Sequence, residues 1–347
     1  MALFSLLRPL LFSLDAETAH RFTINALKMM PRIGIKRYDP ALESVVAGIR
    51  FPAPVGLAAG FDKDAEVPQG ALALGFGFVE IGTVTPLPQG GNPQPRLFRL
   101  PEDRAVINRM GFNNRGHLAA HARLKRARCT IIGVNIGANK DTSDRIADYA
   151  GGVERMGDVA DYLTINISSP NTPGLRGLQD KAALSILLDA INAVRTAATP
   201  PIFLKVAPDL DPADVEDIAD LALTKRIDAL IIANTTISRP PLRSRHAHET
   251  GGLSGAPLKS LAATQLAAFR RATKGHLPLI AVGGVDSADE AYARIRAGAS
   301  LVQLYSALVF QGPGLVKQIN AGLVERLHAD GFAHIVEAVG VDAEIAK

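Results

Sequence analysis

Three observations predict a (β/α)8 barrel. Eight short runs rich in Val, Ile and Leu recur along the chain, helix-length stretches separate most of them, and polar residues cluster where the runs end. The runs are Val55–Gly60, Phe78–Val84, Thr130–Gly137, Tyr162–Ser168, Ile202–Ala207, Ala229–Thr235, Leu279–Gly283 and Leu301–Tyr305. Strands that are nearly all apolar belong to parallel sheets covered on both faces, and eight strand–helix alternations suit a closed barrel. An open doubly wound sheet is the alternative, because periodicity does not show closure. The length of 347 residues fits one barrel with an appendage.

The appendage is the N-terminus. Leu3, Leu6, Leu7, Leu10, Leu11 and Leu14 follow helical spacing and form one broad apolar face, with Phe4 and Phe12 beside it. Pro9 is expected to split or kink this helix. A second helix is predicted from Asp15 to about Met30, followed by Arg32, Lys36 and Arg37. About a dozen residues with Arg8 in the middle are too few to span a bilayer, and neither a basic leader nor a small-residue cleavage site marks a signal peptide. The helices either lie in a membrane interface or pack on the barrel. Residues 1–38 are therefore set apart from a barrel domain at 39–347, joined through a Pro-containing connector from Asp39 to Pro54. Within the barrel, Asp211-Pro212 is a helix start. Ser287 with Glu290 has capping-box spacing, and Gly298 stops the helix that follows.

Composition narrows the chemistry. A net charge of +4 is spread over scattered Lys and Arg, so no nucleic-acid groove is expected. The single cysteine, Cys129, excludes an internal disulfide and a cysteine-based metal or cluster site. His117 and His121 have i,i+4 spacing without the glutamate of a zincin and read as an exposed helix face. No metal site is expected. Neither a Walker A sequence nor a G-x-G-x-x-G occurs.

In a barrel, the C-terminal strand ends converge on one site. They supply Ala59-Gly60-Phe61-Asp62-Lys63, then Thr83, Asn135, Asn166 with Ser169 and Asn171, Lys205, Asn234-Thr235, Gly283-Gly284 and Tyr305-Ser306. Amides flanking a hydroxyl can read the edge of a flat heterocycle while the hydroxyl moves a proton, although an Asx or Ser turn uses the same residues locally. The glycines after strand seven, Gly255, and the hydroxyl after strand eight suit a phosphate at helix starts; each glycine alone also reads as a turn. Lys205 stands inside Phe203-Leu204-Lys205-Val206, where a charge needs either a salt-bridge partner or a ligand of opposite sign. Lys63 is a candidate for a substrate carboxylate or an ordinary surface lysine. The loop Asn108-Arg109-Met110-Gly111-Phe112-Asn113-Asn114 adds three more amides.

Ala59–Lys63, Asn108–Asn114, Asn166–Gly174, Asn234-Thr235, Gly251–Gly255 and Tyr305-Ser306 resemble the signature segments of dihydroorotate dehydrogenase over nearly the whole chain. A serine at the base position and an N-terminal helical extension are similar to the class 2, quinone-dependent members; class 1 members use cysteine there. The resemblance implies oxidation of dihydroorotate to orotate in pyrimidine biosynthesis, with FMN as hydride acceptor and a membrane quinone as final acceptor. It implies Ser169 as the catalytic base. It implies FMN contacts from Ala59, Gly60, Phe61, Asp62, Lys63, Thr83, Asn135, Asn166, Lys205, Ala233, Gly255, Gly284, Tyr305 and Ser306. Ala233 stands where some members have threonine, so a side-chain contact to flavin is not expected there. Dihydroorotate contacts are implied for Lys63, Asn108, Arg109, Met110, Gly111, Phe112, Asn166, Asn171, Asn234 and Thr235, and a quinone tunnel lined by His20, Arg99 and Tyr305. The implied setting is a monomer held peripherally, through the N-terminal helices, on the cytoplasmic side of the cell inner membrane. The two rivals are a dihydrouridine synthase, whose catalytic cysteine and RNA-binding domain are not evident, and a non-catalytic membrane-bound flavoprotein.

Overall fold

All eight predicted runs become strands of one closed parallel barrel, and each pairs with the next in sequence. In the computed structural model, which describes residues 2–29, 38–127 and 131–343, they are Val55–Leu57, Phe78–Val84, Ile132–Ile136, Tyr162–Asn166, Ile202–Val206, Ala229–Ile232, Leu279–Val282 and Ala299–Leu304. The eighth closes on the first through Val302 beside Val55, which removes the open-sheet alternative. Cys129, Arg32, Lys36, Arg37 and the side chain of Leu3 lie outside the described residues.

The barrel interior is filled in layers. At the bottom Phe78, Tyr162, Phe203, Ile231, Ile280 and Leu301 form a core of their own, with Tyr162 and Phe203 stacked at 4.5 Å. Glycines make room for these rings. A Cβ on Gly133 would lie 2.0 Å from Tyr162 Cζ, and one on Gly56 2.2 Å from Phe78 Cζ. Overpacking a core costs about 1–3 kcal/mol, and these overlaps are severe, so Gly133→Val is expected to lose at least that much in urea unfolding. A variant as stable as wild type would contradict this ring-into-glycine packing.

The connector from Asp39 to Pro54 holds an element the sequence did not announce. Strands Ser44–Val46 and Ile49–Phe51 form an antiparallel hairpin that stoppers the barrel bottom, with Phe51 against Phe78 at 5.0 Å. Its turn, Ala47-Gly48, has φ of 50° and 79°. Positive φ at both positions is the two-residue hairpin geometry usually marked by Asn-Gly; alanine conceals it.

Above the mouth, Leu97–Leu100, Ala105–Asn108 and Gly252–Gly255 make a three-stranded antiparallel sheet with a small core that includes Phe98, Leu100, Ile107 and Leu253. It brings Asn108 beside Gly252.

The N-terminal helices are Ala2–Ser13 and Ala16–Met29. The first runs through Pro9, so the expected split does not occur: the ring removes one hydrogen bond, and the helix continues on either side. Asp15 Oδ1 caps the second by accepting from the Glu17 and Thr18 amides at 2.9 and 3.0 Å. That helix is anchored: Ile24 and Leu27 join the main core, Glu17 pairs with Arg96 at 2.6 Å, and Arg21 and Lys28 both reach Glu66. The first is held at its C-terminal end, where Arg99 donates to the Leu11 and Phe12 carbonyls at 2.9 and 3.3 Å and Phe12 meets Phe310 edge-on at 5.9 Å, while Leu6 and Leu10 are 77% and 65% exposed. No helix among the described residues is long and apolar enough to cross a membrane.

The predicted caps form with one change. Asp211 accepts from the Asp214 amide and Ser287 from the Glu290 amide, but the Glu290 carboxylate pairs with Arg294 and Lys259 instead of completing the box. His117 also departs from expectation. It is buried, not on an exposed face, and burial pushes its imidazole down to about 4.

Candidate active site

A cavity of about 540 Å³ fills the barrel mouth and continues outward between the N-terminal helices. Its inner part is polar. Lys63, Thr83, Asn108, Asn166, Ser169, Asn171, Lys205, Asn234 and Thr235 all line it, as do Ala59, Gly60, Phe61, Met110, Gly111, Phe112 and Ala233. The strand ends put them there, since parallel strands in a barrel all finish on one rim.

The amides are held by each other. Asn166 Nδ2 donates to Thr83 Oγ1 at 3.0 Å and Asn135 Oδ1 at 3.1 Å, while Asn166 Oδ1 accepts from Ser168 Oγ at 3.1 Å and Asn234 Nδ2 at 3.2 Å. Asn171 Nδ2 donates to Asn108 Oδ1 at 3.2 Å. Ser169 is buried, and its Oγ accepts from the Asn171 amide at 3.3 Å. Arg176 fastens this loop: its guanidinium donates to the Ser168 and Thr235 carbonyls at 3.1 and 3.0 Å and pairs with Asp209 at 2.9 Å. Two loops from different strands are thereby kept in register around Ser169.

Both lysines stand on the cavity wall. Neither Lys63 nor Lys205 forms an ion pair with the described residues. Burial, opposed by the charge of Glu17, pushes Lys63 down to about 8. Burial also lowers Lys205, opposed by Glu80.

One corner of the cavity is made of backbone. Gly255, Gly283 and Gly284 have φ of 97°, 110° and 75°, and a Cβ on Gly284 would meet Lys259 Cα at 2.6 Å. Ser306 Oγ, at the start of helix Ser306–Gln311, lies 2.8 Å from Ser254 Oγ. Glycine backbone without Cβ bulk and a hydroxyl at a helix start make a corner that suits an anion.

The outer part is apolar, with Phe4, Leu11, Phe12, Phe22 and Phe310 in its wall. His20, Arg99 and Tyr305 stand along it. Tyr305 OH and His20 Nδ1 are 3.2 Å apart, and burial together with the Lys63 charge pushes His20 down to about 3, so its ring is neutral. Arg99 donates to the Leu11 carbonyl at 2.9 Å and stacks over Phe12 at 4.8 Å.

Three expected residues stand elsewhere. Asp62 is turned away from the cavity, its carboxylate accepting from the Glu66 and Val67 amides, each at 2.8 Å. The Arg109 guanidinium also leaves it, pairing with Glu249 at 2.7 Å and lying over Phe98 at 4.6 Å. For both, a nearer partner captures the side chain. Asn135 is one layer down, fully buried beneath Thr83 and Asn166. Sequence reasoning passed over Glu80, Arg96 and Arg176. Glu80 alone carried a signal, a charge inside the apolar run Phe78–Val84 like that of Lys205.

Fold and site define a (β/α)8 barrel whose C-terminal strand ends enclose a cavity lined by amides, hydroxyls and two lysines. The family profile described as dihydroorotate dehydrogenase matches residues 41–327. A protein of Erythrobacter litoralis named dihydroorotate dehydrogenase (quinone) is 61% identical over 340 residues, covering 97% of this chain and 99% of its own. One of the same name from Novosphingobium aromaticivorans is 58% identical, covering 98% and 99%. The crystal structure of DHODH from Eimeria tenella in complex with ferulenol superposes with a TM-score of 0.90 at 42% identity, over 94% of this chain and 96% of that one. The chain belongs to the dihydroorotate dehydrogenase family.

Proposed function

We propose that this chain oxidises (S)-dihydroorotate to orotate in pyrimidine biosynthesis and passes the electrons to a quinone. The observation that carries the reading is the convergence of Lys63, Ser169, Lys205 and Asn234 on one cavity, in a chain 61% identical to a protein bearing the quinone-dependent name. Purified protein supplied with FMN, dihydroorotate and quinone should form orotate. Orotate formation with NAD or fumarate but not quinone would refute the acceptor, and none with any would refute the reaction.

The residues present fit FMN. The Gly255–Gly284–Ser306 corner suits its phosphate, and the unpaired Lys205 ammonium suits negative charge gathering on the ring. Ala59, Gly60, Thr83, Asn166, Ala233 and Tyr305 border the same space, with Asn135 supporting Thr83 and Asn166 from below. Lys63 joins this set only through its position on the wall. When bound, FMN supplies the acceptor for the hydride leaving C6 of the substrate.

The chain's own residues do the rest. Asn108, Asn166, Asn171 and Asn234, with Thr235, match donors and acceptors to the imide edge of the pyrimidine ring. Met110, Gly111 and Phe112 wall the same end. Ser169 takes the proton from C5, and because serine is a weak base it must hand that proton on. Lys63 holds the substrate carboxylate, and this has a pH signature. An ammonium with a pKa of about 8 is charged below that value and neutral above it. We therefore expect kcat/KM, which reports the free enzyme, to fall by about tenfold per pH unit above pH ~8. Lys63→Met should abolish that limb, and a limb unchanged in the variant would remove Lys63 from carboxylate binding.

Residues 1–38 are assigned to quinone access and membrane attachment, and 39–347 to the barrel domain. The apolar outer cavity beside His20, Arg99 and Tyr305 suits a lipophilic ring and tail, and the exposed leucines of Ala2–Ser13 suit a bilayer surface. The reading places a monomer peripherally on the cytoplasmic face of the inner membrane.

A further inference from the structure

The middle of the barrel holds a carboxylate that the mechanism does not use. Glu80 is 0% exposed, and a buried carboxylate is costly unless donors surround it. Three do. Asn135 Nδ2 donates to its Oε1 at 2.7 Å, and Gln303 Nε2 and Tyr162 OH donate to its Oε2 at 2.9 and 3.2 Å. All three are neutral. Lys205, also buried in the barrel, attracts Glu80 through space but forms no ion pair with it, so the direct contacts of the carboxylate are with neutral donors.

We propose that Glu80 is a positioning residue: by accepting only, it sets the direction of the amide chain that leads from the barrel interior to the substrate. Every link follows from the one before. A carboxylate has no hydrogen to give, so Asn135 must turn its Nδ2 down to Glu80 and its Oδ1 up. That Oδ1 then accepts from Thr83 Oγ1 and from Asn166 Nδ2. With its nitrogen committed inward, Asn166 shows its Oδ1 to the mouth, where Ser168 and Asn234 donate to it. Asn234 is thereby oriented as well, its Nδ2 also reaching Ser168 Oγ at 3.0 Å and its Oδ1 accepting from the Thr235 amide at 2.8 Å. An asparagine is nearly symmetric in shape and can flip at little steric cost; an acceptor-only group at the root removes that freedom. The pattern of donors and acceptors offered to FMN and orotate is thus fixed two side chains away from them. This rests on the flavin and orotate reading of the mouth.

Glu80→Gln keeps the shape and abolishes the rule, because an amide can donate to Asn135 as well as accept from it. Adding Asn135→Asp restores the rule by another route: the new glutamine donates to the new aspartate, which still accepts from Thr83 and Asn166. FMN affinity is read by fluorescence titration of apoprotein, orotate affinity by the flavin spectral shift, and folding by thermal unfolding. Glu80→Gln should weaken both ligands by about tenfold or more, and the double variant should recover most of both losses. Wild-type affinities in the single variant, or a double variant no better than the single, would overturn the proposal. Neutron diffraction from the deuterated wild-type protein decides it even if neither variant folds. Deuterons on the Asn135 atom facing Glu80 and on the Asn166 atom facing Thr83 are expected, and the reverse orientation of either would sink it. A wild-type chain that binds neither FMN nor orotate would refute the functional reading, while the neutron map would still judge Glu80.

Discussion

Ser169→Ala is expected to slow reduction of the bound flavin by dihydroorotate by about 10²–10⁴-fold, the contribution of a positioned base, while FMN and orotate affinities stay near wild type. The geometry makes the separation clean. Ser169 Oγ has one polar contact in the described structure, the Asn171 amide. The amide chain around it runs instead through Ser168 Oγ, Asn166 and Asn234. Alanine therefore removes the proton acceptor and one hydrogen bond from the Asn171 backbone amide, while the Asn171 side chain keeps its bond to Asn108 and the Ser168–Asn166–Asn234 chain stays intact. Stopped-flow bleaching of the flavin band under anaerobic conditions gives the rate, and a near-normal rate would remove Ser169 from the mechanism. Loss of orotate binding in step with the rate would instead make it a binding residue.

Deleting residues 1–14 is expected to cost the quinone half of the cycle and spare the other half. Cutting further would confound the result, because Ile24 and Leu27 of the second helix belong to the main core and Glu17 holds Arg96, which in turn donates to the Gly90 and Asn92 carbonyls beside the cavity. The first helix touches the outer cavity instead, through Arg99 and Phe310. Its Leu6, Leu7 and Leu10 are exposed, and burying a leucine is worth about 1.5–3 kcal/mol. Binding to lipid vesicles should therefore fall by about a hundredfold or more, and turnover with a vesicle-borne quinone should fall with it. Single-turnover flavin reduction should remain. Equal vesicle binding and quinone turnover by the shortened chain would refute the role given to this helix.

The strands were legible because burial on both faces leaves a local mark, an apolar run of five to eight residues, and all eight took their expected places. Lys205 was legible for the same reason, as the exception within such a run. Glu80 sent the same signal from Phe78–Val84, yet its meaning depended on Asn135, Tyr162 and Gln303, which arrive from three other strands. Asp62 and Arg109 show the converse. Both sit in segments whose neighbours line the cavity, and both are drawn away, one by backbone amides and one by Glu249.

From its own order of residues, the chain determined the strand–helix alternation, the helix caps at Asp211 and Ser287, and which residue types would stand at the strand ends. These depend on interactions within a few positions. Tertiary structure alone decided closure of the barrel, the hairpin stopper beneath it, and the sheet that carries Asn108 to Gly252. It also decided the direction in which each amide points. The physical reason is that an asparagine's two ends differ only in hydrogen bonding, so its orientation belongs to its partners, and here those partners come from across the barrel.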